Sequence, residues 1–163
     1  MDPEEVKKRL LAPLDELSKR DSVLFTNDLS ERCIAFRLAM YLQHLFPDHS
    51  VDAEYNRKGR DPKTLNLPPQ CANYLNNDGS PLVVPDIIVH RRGVEGPNIL
   101  VVEVKKTTNR NPRDCDHARI HAFREQLAYG SAALVECETR NGREPTAMIV
   151  EWLPQDEQPA PRA

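Results

Sequence analysis

The chain has 163 residues, of which 39% are hydrophobic and 29% charged, with a formal charge of −3 at pH 7. Such a composition suits a single globular domain and excludes wholesale disorder. The slight negative charge excludes a protein that coats nucleic acid by bulk electrostatics, although it leaves room for a local basic cleft.

No apolar run approaches the roughly 20 residues of a membrane-spanning helix, so no membrane association is expected. The opening MDPEEVKKRLL is charged and lacks the apolar centre of a signal peptide, which predicts a cytoplasmic protein. Asp2 is a candidate N-cap with Pro3 at the first helical position and Glu4 and Glu5 in the first turn. Val6, Leu10, Leu14 and Leu17 follow at helical spacing, and Pro13 is expected to kink or divide the helix. Residues 1–27 thus read as an N-terminal helical extension. A second helix is predicted from about Asp28 to Phe46, stopped by Pro47, with an apolar stripe of Ile34, Ala35, Leu38, Tyr41, Leu42 and Leu45.

Residues 50–56 are strand-like. From 57 to 81 Gly, Pro, Asn and charge dominate, which predicts a long loop, either functional or mobile. Leu82–His90 and Asn98–Lys106 are both β-rich, and the turn-forming link from Arg91 to Pro97 makes them a hairpin. A helix is expected from about Asp114 to Tyr129, closed by Gly130. Ala132–Cys137 and Ala147–Trp152 read as closing strands, and 154–163 as a disordered tail after a domain of 1–153. The order α-α-β-β-β-α-β-β predicts an α/β fold, a mixed central sheet flanked by helices.

Cys33, Cys71, Cys115 and Cys137 contain no C-x-x-C pair. Their even number permits disulfides, but without an export signal reduced thiols are the expectation, with Cys33 a small core residue. Cys115, His117 and His121 fall at spacings that could suit a shared zinc ion, but they read first as surface or groove residues of a basic helix.

Asp86, Glu103 and Lys105 interrupt the two apolar strands of the hairpin. If the link is symmetric about the point between Val94 and Glu95, facing residues have numbers that sum to 189, and Asp86 opposes Glu103. Opposed residues share a face with Cβ atoms roughly 4.5–5.5 Å apart, and alternation adds Lys105 to that face while Val102 and Val104 turn the other way. Two opposed carboxylates destabilise a sheet unless compensated. Mg²⁺ (or Mn²⁺), held by Asp86, Glu103 and the Val104 carbonyl, would compensate them, since it prefers hard oxygen ligands. The alternative is a surface salt-bridge cluster. Glu31 has two readings: it closes a capping box with Asp28, or it is a third acid on the core-facing stripe of its helix.

These residues resemble the PD-(D/E)XK nuclease superfamily, the restriction-endonuclease-like fold. The resemblance rests on Pro85-Asp86, on Glu103-Val104-Lys105 and on Glu31 in a preceding helix, and it spans roughly residues 28–136. It implies an αβββαβ core and metal-dependent phosphodiester hydrolysis. Asp86 and Glu103 would bind the metal, Lys105 would assist the attacking water, and Glu31 would help hold the metal or its water. A Gln-x-x-x-Tyr pattern found in some members is matched imperfectly by Gln126 and Tyr129, three apart.

Lys106, Arg110, Arg113, Arg119 and Arg124 form a cationic stretch beyond Lys105, expected with Gln126 to bind substrate backbone. The expected partner is nucleic acid, DNA foremost, with a homodimer where both strands of a duplex are cut. The competing expectation is a non-catalytic nucleic-acid-binding or protein-interaction module on the same fold.

Overall fold

The computed structural model describes residues 1–58, 61–62, 64–71, 74–75, 81–93 and 96–154. The disordered tail expected at the end of the chain falls almost entirely outside them.

Helix α1 (Pro3–Arg20) starts as its sequence directs: Asp2 Oδ1 accepts the Glu4 N–H at 3.2 Å and Pro3 opens the first turn. Pro13 does not divide it. The proline lies inside one continuous helix, on the face that buries Val6, Leu10, Leu14 and Leu17, so packing of that stripe outweighs the lost backbone bond. A short α2 (Ser22–Thr26) follows, then α3 (Glu31–Leu45). The third helix begins later than expected. Its N-cap is Ser30, whose hydroxyl accepts the Cys33 N–H at 3.2 Å, whereas Asp28 has a φ of 51° and lies outside the helix. The Asp28–Glu31 capping box therefore does not form. Cys33, expected in the core, is half-buried.

The strands are β1 (Ser50–Ala53), β2 (Arg57–Lys58), β3 (Asp61–Pro62), β4 (Tyr74–Leu75), β5 (Pro81–Leu82), β6 (Ile87–His90), β7 (Asn98–Lys106), β8 (Tyr129–Cys137) and β9 (Ala147–Pro154). Helix α4 (Asp114–Gln126) connects β7 to β8. The main sheet runs β1-β6-β7-β8-β9, with β7 and β8 parallel and the other neighbours antiparallel. The fold is α/β, a five-stranded mixed sheet flanked by helices.

Of the segment expected as one long loop, the described parts are structured. Strands β2 and β3 pair, β4 and β5 pair, and Leu65, Leu67 and Cys71 are buried beside α4. Cys71 is bonded to Cys115 of α4, so the expectation of four reduced thiols is overturned. Side-chain convergence across 44 residues of chain, not local spacing, brings that pair together. Helix α4 ends at Gln126, earlier than predicted, because Ala128 at φ 53° makes the left-handed turn assigned to Gly130, which instead lies in β8.

Both faces of the sheet are covered. Leu100, Val102 and Val104 of β7 pack with α1 and α3, while Val101 packs with Ile120 and Phe123 of α4. Strand alternation therefore aims Glu103 and Lys105 at α4. A polar face there is buried, so each charge on it requires a partner.

Candidate active site

The hairpin register matches the sum expected from the symmetric link: Ile87 pairs with Val102, Ile88 with Val101 and Val89 with Leu100. The next position outward sets Asp86, just before β6, against Glu103. Asp86 Oδ2 accepts the backbone N–H of Val104 at 2.7 Å. Glu103 is 3% exposed, and its Oε1 is buried with no hydrogen-bond partner among the described residues. Burial and then the nearby Glu103 carboxylate push the Asp86 carboxyl well above its usual range. Burial likewise raises Glu103, against the opposing pull of Arg119.

Helix α4 supplies the compensating groups. Arg119 donates from Nε to Glu103 Oε2 at 3.1 Å, and its Nη2 lies 3.0 Å from the same oxygen. The same Nη2 donates to Asp116 Oδ1 at 2.5 Å. Asp116, only 2% exposed, also faces Lys105, whose Nζ lies 3.2 Å from Oδ2. A continuous ionic chain thus runs Lys105–Asp116–Arg119–Glu103 and ends beside Asp86. Nothing in the sequence marks Asp116 as a site residue beyond its place on α4. Its only signal there was helical spacing: Asp116 and Arg119 lie three apart and share a face of α4.

A groove of about 560 Å³ opens beside this chain, lined by Lys105, Asp116, Arg119, Gln70 and the Cys71–Cys115 bridge. Asp86 borders a second recess of about 470 Å³ between α3 and β1, with Arg32 and Glu54 on its walls. The charged groups are therefore buried but near surface openings.

Glu31 approaches the end of β7 from α3. Its Oε1 accepts the Lys106 N–H at 2.9 Å and the Asn109 Nδ2 at 2.9 Å. It adds negative charge near Asp86, yet its hydrogen bonds anchor the strand end.

The remaining cations are mostly engaged within the fold. Lys106 Nζ pairs with Asp28 Oδ1 at 2.9 Å, and Arg113 pairs with Glu136 at 2.7 Å. Arg124 Nε donates to the Pro154 carbonyl at 2.7 Å. Gln126 bonds both the N–H and the carbonyl of Asn66, fastening the β3–β4 segment to α4. Arg110 is exposed at the surface. His117 and His121 share a helix face as their spacing predicts, and both meet Glu151 of β9; Cys115 is held in its disulfide.

Among the described residues no three or more His, Cys, Asp or Glu side chains are grouped to hold a metal ion. The Asp86–Glu103 pair is a smaller donor set. It consists of hard oxygens, and Glu103 Oε1, which Arg119 does not reach, fits a divalent cation completed by backbone carbonyl and water. No helix among the described residues is long and apolar enough to cross a membrane. No family model, curated protein or solved structure matches the chain. The functional reading therefore stands on this geometry.

Proposed function

We propose that the protein is a metal-dependent phosphodiester hydrolase acting on nucleic acid, with DNA as the first substrate to test. The observation that carries this reading is the pair of half-buried Asp86 and buried Glu103, with Glu103 Oε1 lacking a hydrogen-bond partner among the described residues and Lys105 two positions along the same strand face. Two neighbouring acids, one with an oxygen that meets no donor among the described residues, leave a place that a bound cation or water would fill. The helix, three strands, helix and strand formed by α3, β1, β6, β7, α4 and β8 also agree with the PD-(D/E)XK resemblance.

Asp86, Glu103 and the Val104 carbonyl would hold Mg²⁺ or Mn²⁺. A bound divalent ion lowers the pKa of its water and offsets charge on the scissile phosphate. Lys105, fixed by Asp116, supplies a donor where negative charge develops on the phosphate and its attacking water. Glu31 positions the end of β7 through the Lys106 N–H. Lys105 and Arg119 line the groove together with Asp114 and Asp116, and exposed Arg110 lies in the loop that precedes α4, where it could meet a substrate phosphate. Lys106, Arg113, Arg124 and Gln126 act on substrate placement mainly by fixing the loop and helix.

One observation favours a second reading, the non-catalytic binding or interaction module. Lys105 and Arg119 already have acidic partners, so the cluster also satisfies most of its charges internally. The deciding experiment incubates the protein with plasmid, linear and single-stranded DNA and with RNA, in Mg²⁺ or Mn²⁺ and then in EDTA. Cleavage that requires the metal and is abolished by Asp86→Ala and Lys105→Ala, with binding retained, supports the hydrolase. Binding without cleavage of any substrate supports the module, and full activity of Asp86→Ala means the site lies elsewhere.

A further inference from the structure

Arg119 makes two unequal attachments. Its contact with Asp116 Oδ1 is 2.5 Å, while those with Glu103 Oε2 are 3.0 and 3.1 Å. Asp116 Oδ2 lacks a hydrogen-bond partner among the described residues, although the Lys105 ammonium lies 3.2 Å away. Asp116 therefore grips the guanidinium independently of Glu103, while its other oxygen faces Lys105.

We infer that Arg119 is a resident counter-ion that occupies Glu103 until a divalent cation arrives, and that cation entry hands the guanidinium over to Asp116. This rests on the reading of Asp86 and Glu103 as cation ligands, but it assigns Arg119 a separate role. A carboxylate as buried as Glu103 is costly without a positive neighbour, and in the absence of metal Arg119 is the nearest one. A divalent ion would place charge beside both Asp86 and Glu103, including the Oε1 atom that Arg119 does not reach. The guanidinium and the ion then repel each other across a shared carboxylate, which weakens the contacts of Arg119 with Glu103 and leaves its contact with Asp116 favoured. The arm that the ion opposes is the one on Glu103, since Glu103 is the carboxylate the two cations would share.

The exchange has a consequence for substrate. Arg119 lines the groove with Lys105. Freed from Glu103 but still tethered to Asp116, it offers its remaining N–H donors to an anionic group in that groove. The fork of donors suits a phosphate oxygen pair. Arg119 would thus act as a positioning residue that couples the two ligands: polyanion contact at this position strengthens only after the cation is bound.

The test uses Mn²⁺ alone, measured by calorimetry and by water-proton relaxation, on the wild type, Arg119→Gln and Arg119→Lys. Removing the competing charge in Arg119→Gln is expected to tighten Mn²⁺ binding by about tenfold or more. Arg119→Lys keeps the charge and should stay near the wild type. If the wild type binds Mn²⁺ and Arg119→Gln binds it no more tightly, the hand-over is overturned while the ligand assignment survives. If no form binds, both fall. A measurement on the unaltered chain guards against a variant that does not fold. Titration of Mg²⁺ should shift the Arg119 Nε–H resonance together with the Val104 amide. A Val104 amide that moves while Arg119 stays still overturns the inference.

Discussion

Asp86 Oδ2 accepts the Val104 N–H at 2.7 Å, and this bond fastens an acid that precedes β6 to the strand carrying Glu103. The bond offsets only part of the cost of holding a half-buried carboxylate beside a buried one. Both acids therefore keep their protons to higher pH in the folded chain than in the unfolded one.

The pH dependence follows from that direction. An acid whose folded pKa is raised stabilises the fold least where the unfolded form has already ionised. The contribution of this pair is thus largest below the ordinary carboxylate range and is lost as pH rises through the raised values. Asp28 and Glu138 act oppositely: each is held near about 2 by its hydrogen-bonded partners, Lys106 first for Asp28 and Arg140 first for Glu138. Their contributions are present above the ordinary carboxylate range and fade as pH falls toward 2. Asp86→Asn keeps an oxygen for Val104 and removes an ionisable group beside Glu103. In EDTA at pH 7 it should melt about 2–4 °C above the wild type, equivalent to about 1 kcal/mol. The gain should shrink at pH 4, and melts at the two pH values check it.

Asp116 joins two cations, so truncating it leaves Lys105 and Arg119 short of a partner in a buried site. Asp116→Ala is expected to lose about 3 kcal/mol in urea unfolding. Pairing it with Lys105→Met should recover part of that loss, because the double variant removes one of the stranded charges. An additive double variant would mean that the two residues do not interact.

The thiol count distinguishes the Cys71–Cys115 bridge from four free cysteines. Burial pushes the Cys137 thiol up to about 12, so it should resist alkylation in the native protein, whereas half-buried Cys33 reacts. Denaturation without reductant should expose two thiols, and reduction should then yield four. Cys71→Ala/Cys115→Ala is expected to cost about 2–4 kcal/mol, given the 44-residue separation that the bridge closes. Mass spectrometry of alkylated peptides checks the pairing.

Glu31 separates an anchoring role from a metal-holding one. Glu31→Ala strips acceptors from Lys106 and Asn109 and should cost about 1–3 kcal/mol. Glu31→Gln retains an acceptor oxygen, so it should be nearly as stable as the wild type and bind Mn²⁺ equally well. A marked loss of Mn²⁺ affinity in Glu31→Gln would place this carboxylate among the cation's ligands.

Comparing sequence with structure shows where local information is enough. The Asp86–Glu103 pairing was legible because a short turn links the two strands and alternation then fixes the faces. The apolar stripes of α1 and α3 were legible for the same reason, as periodicity is a property of neighbouring residues. The continuity of α1 through Pro13 was not, since it depends on what the helix packs against. Nor was the displaced start of α3, where Ser30 prevails over Asp28 as the cap.

By itself the sequence determined the α/β character, the hairpin register that sets Asp86 against Glu103, and the strand face that Glu103 shares with Lys105. Only the tertiary structure decided that Asp116 and Arg119 complete that cluster, that Cys71 meets Cys115, and that several cations of the basic stretch are matched with acids inside the fold. The reason is physical. Periodicity and turn chemistry act between residues close in the chain, whereas the partner of a buried charge is chosen by how α4 seats on the sheet, which no local pattern encodes.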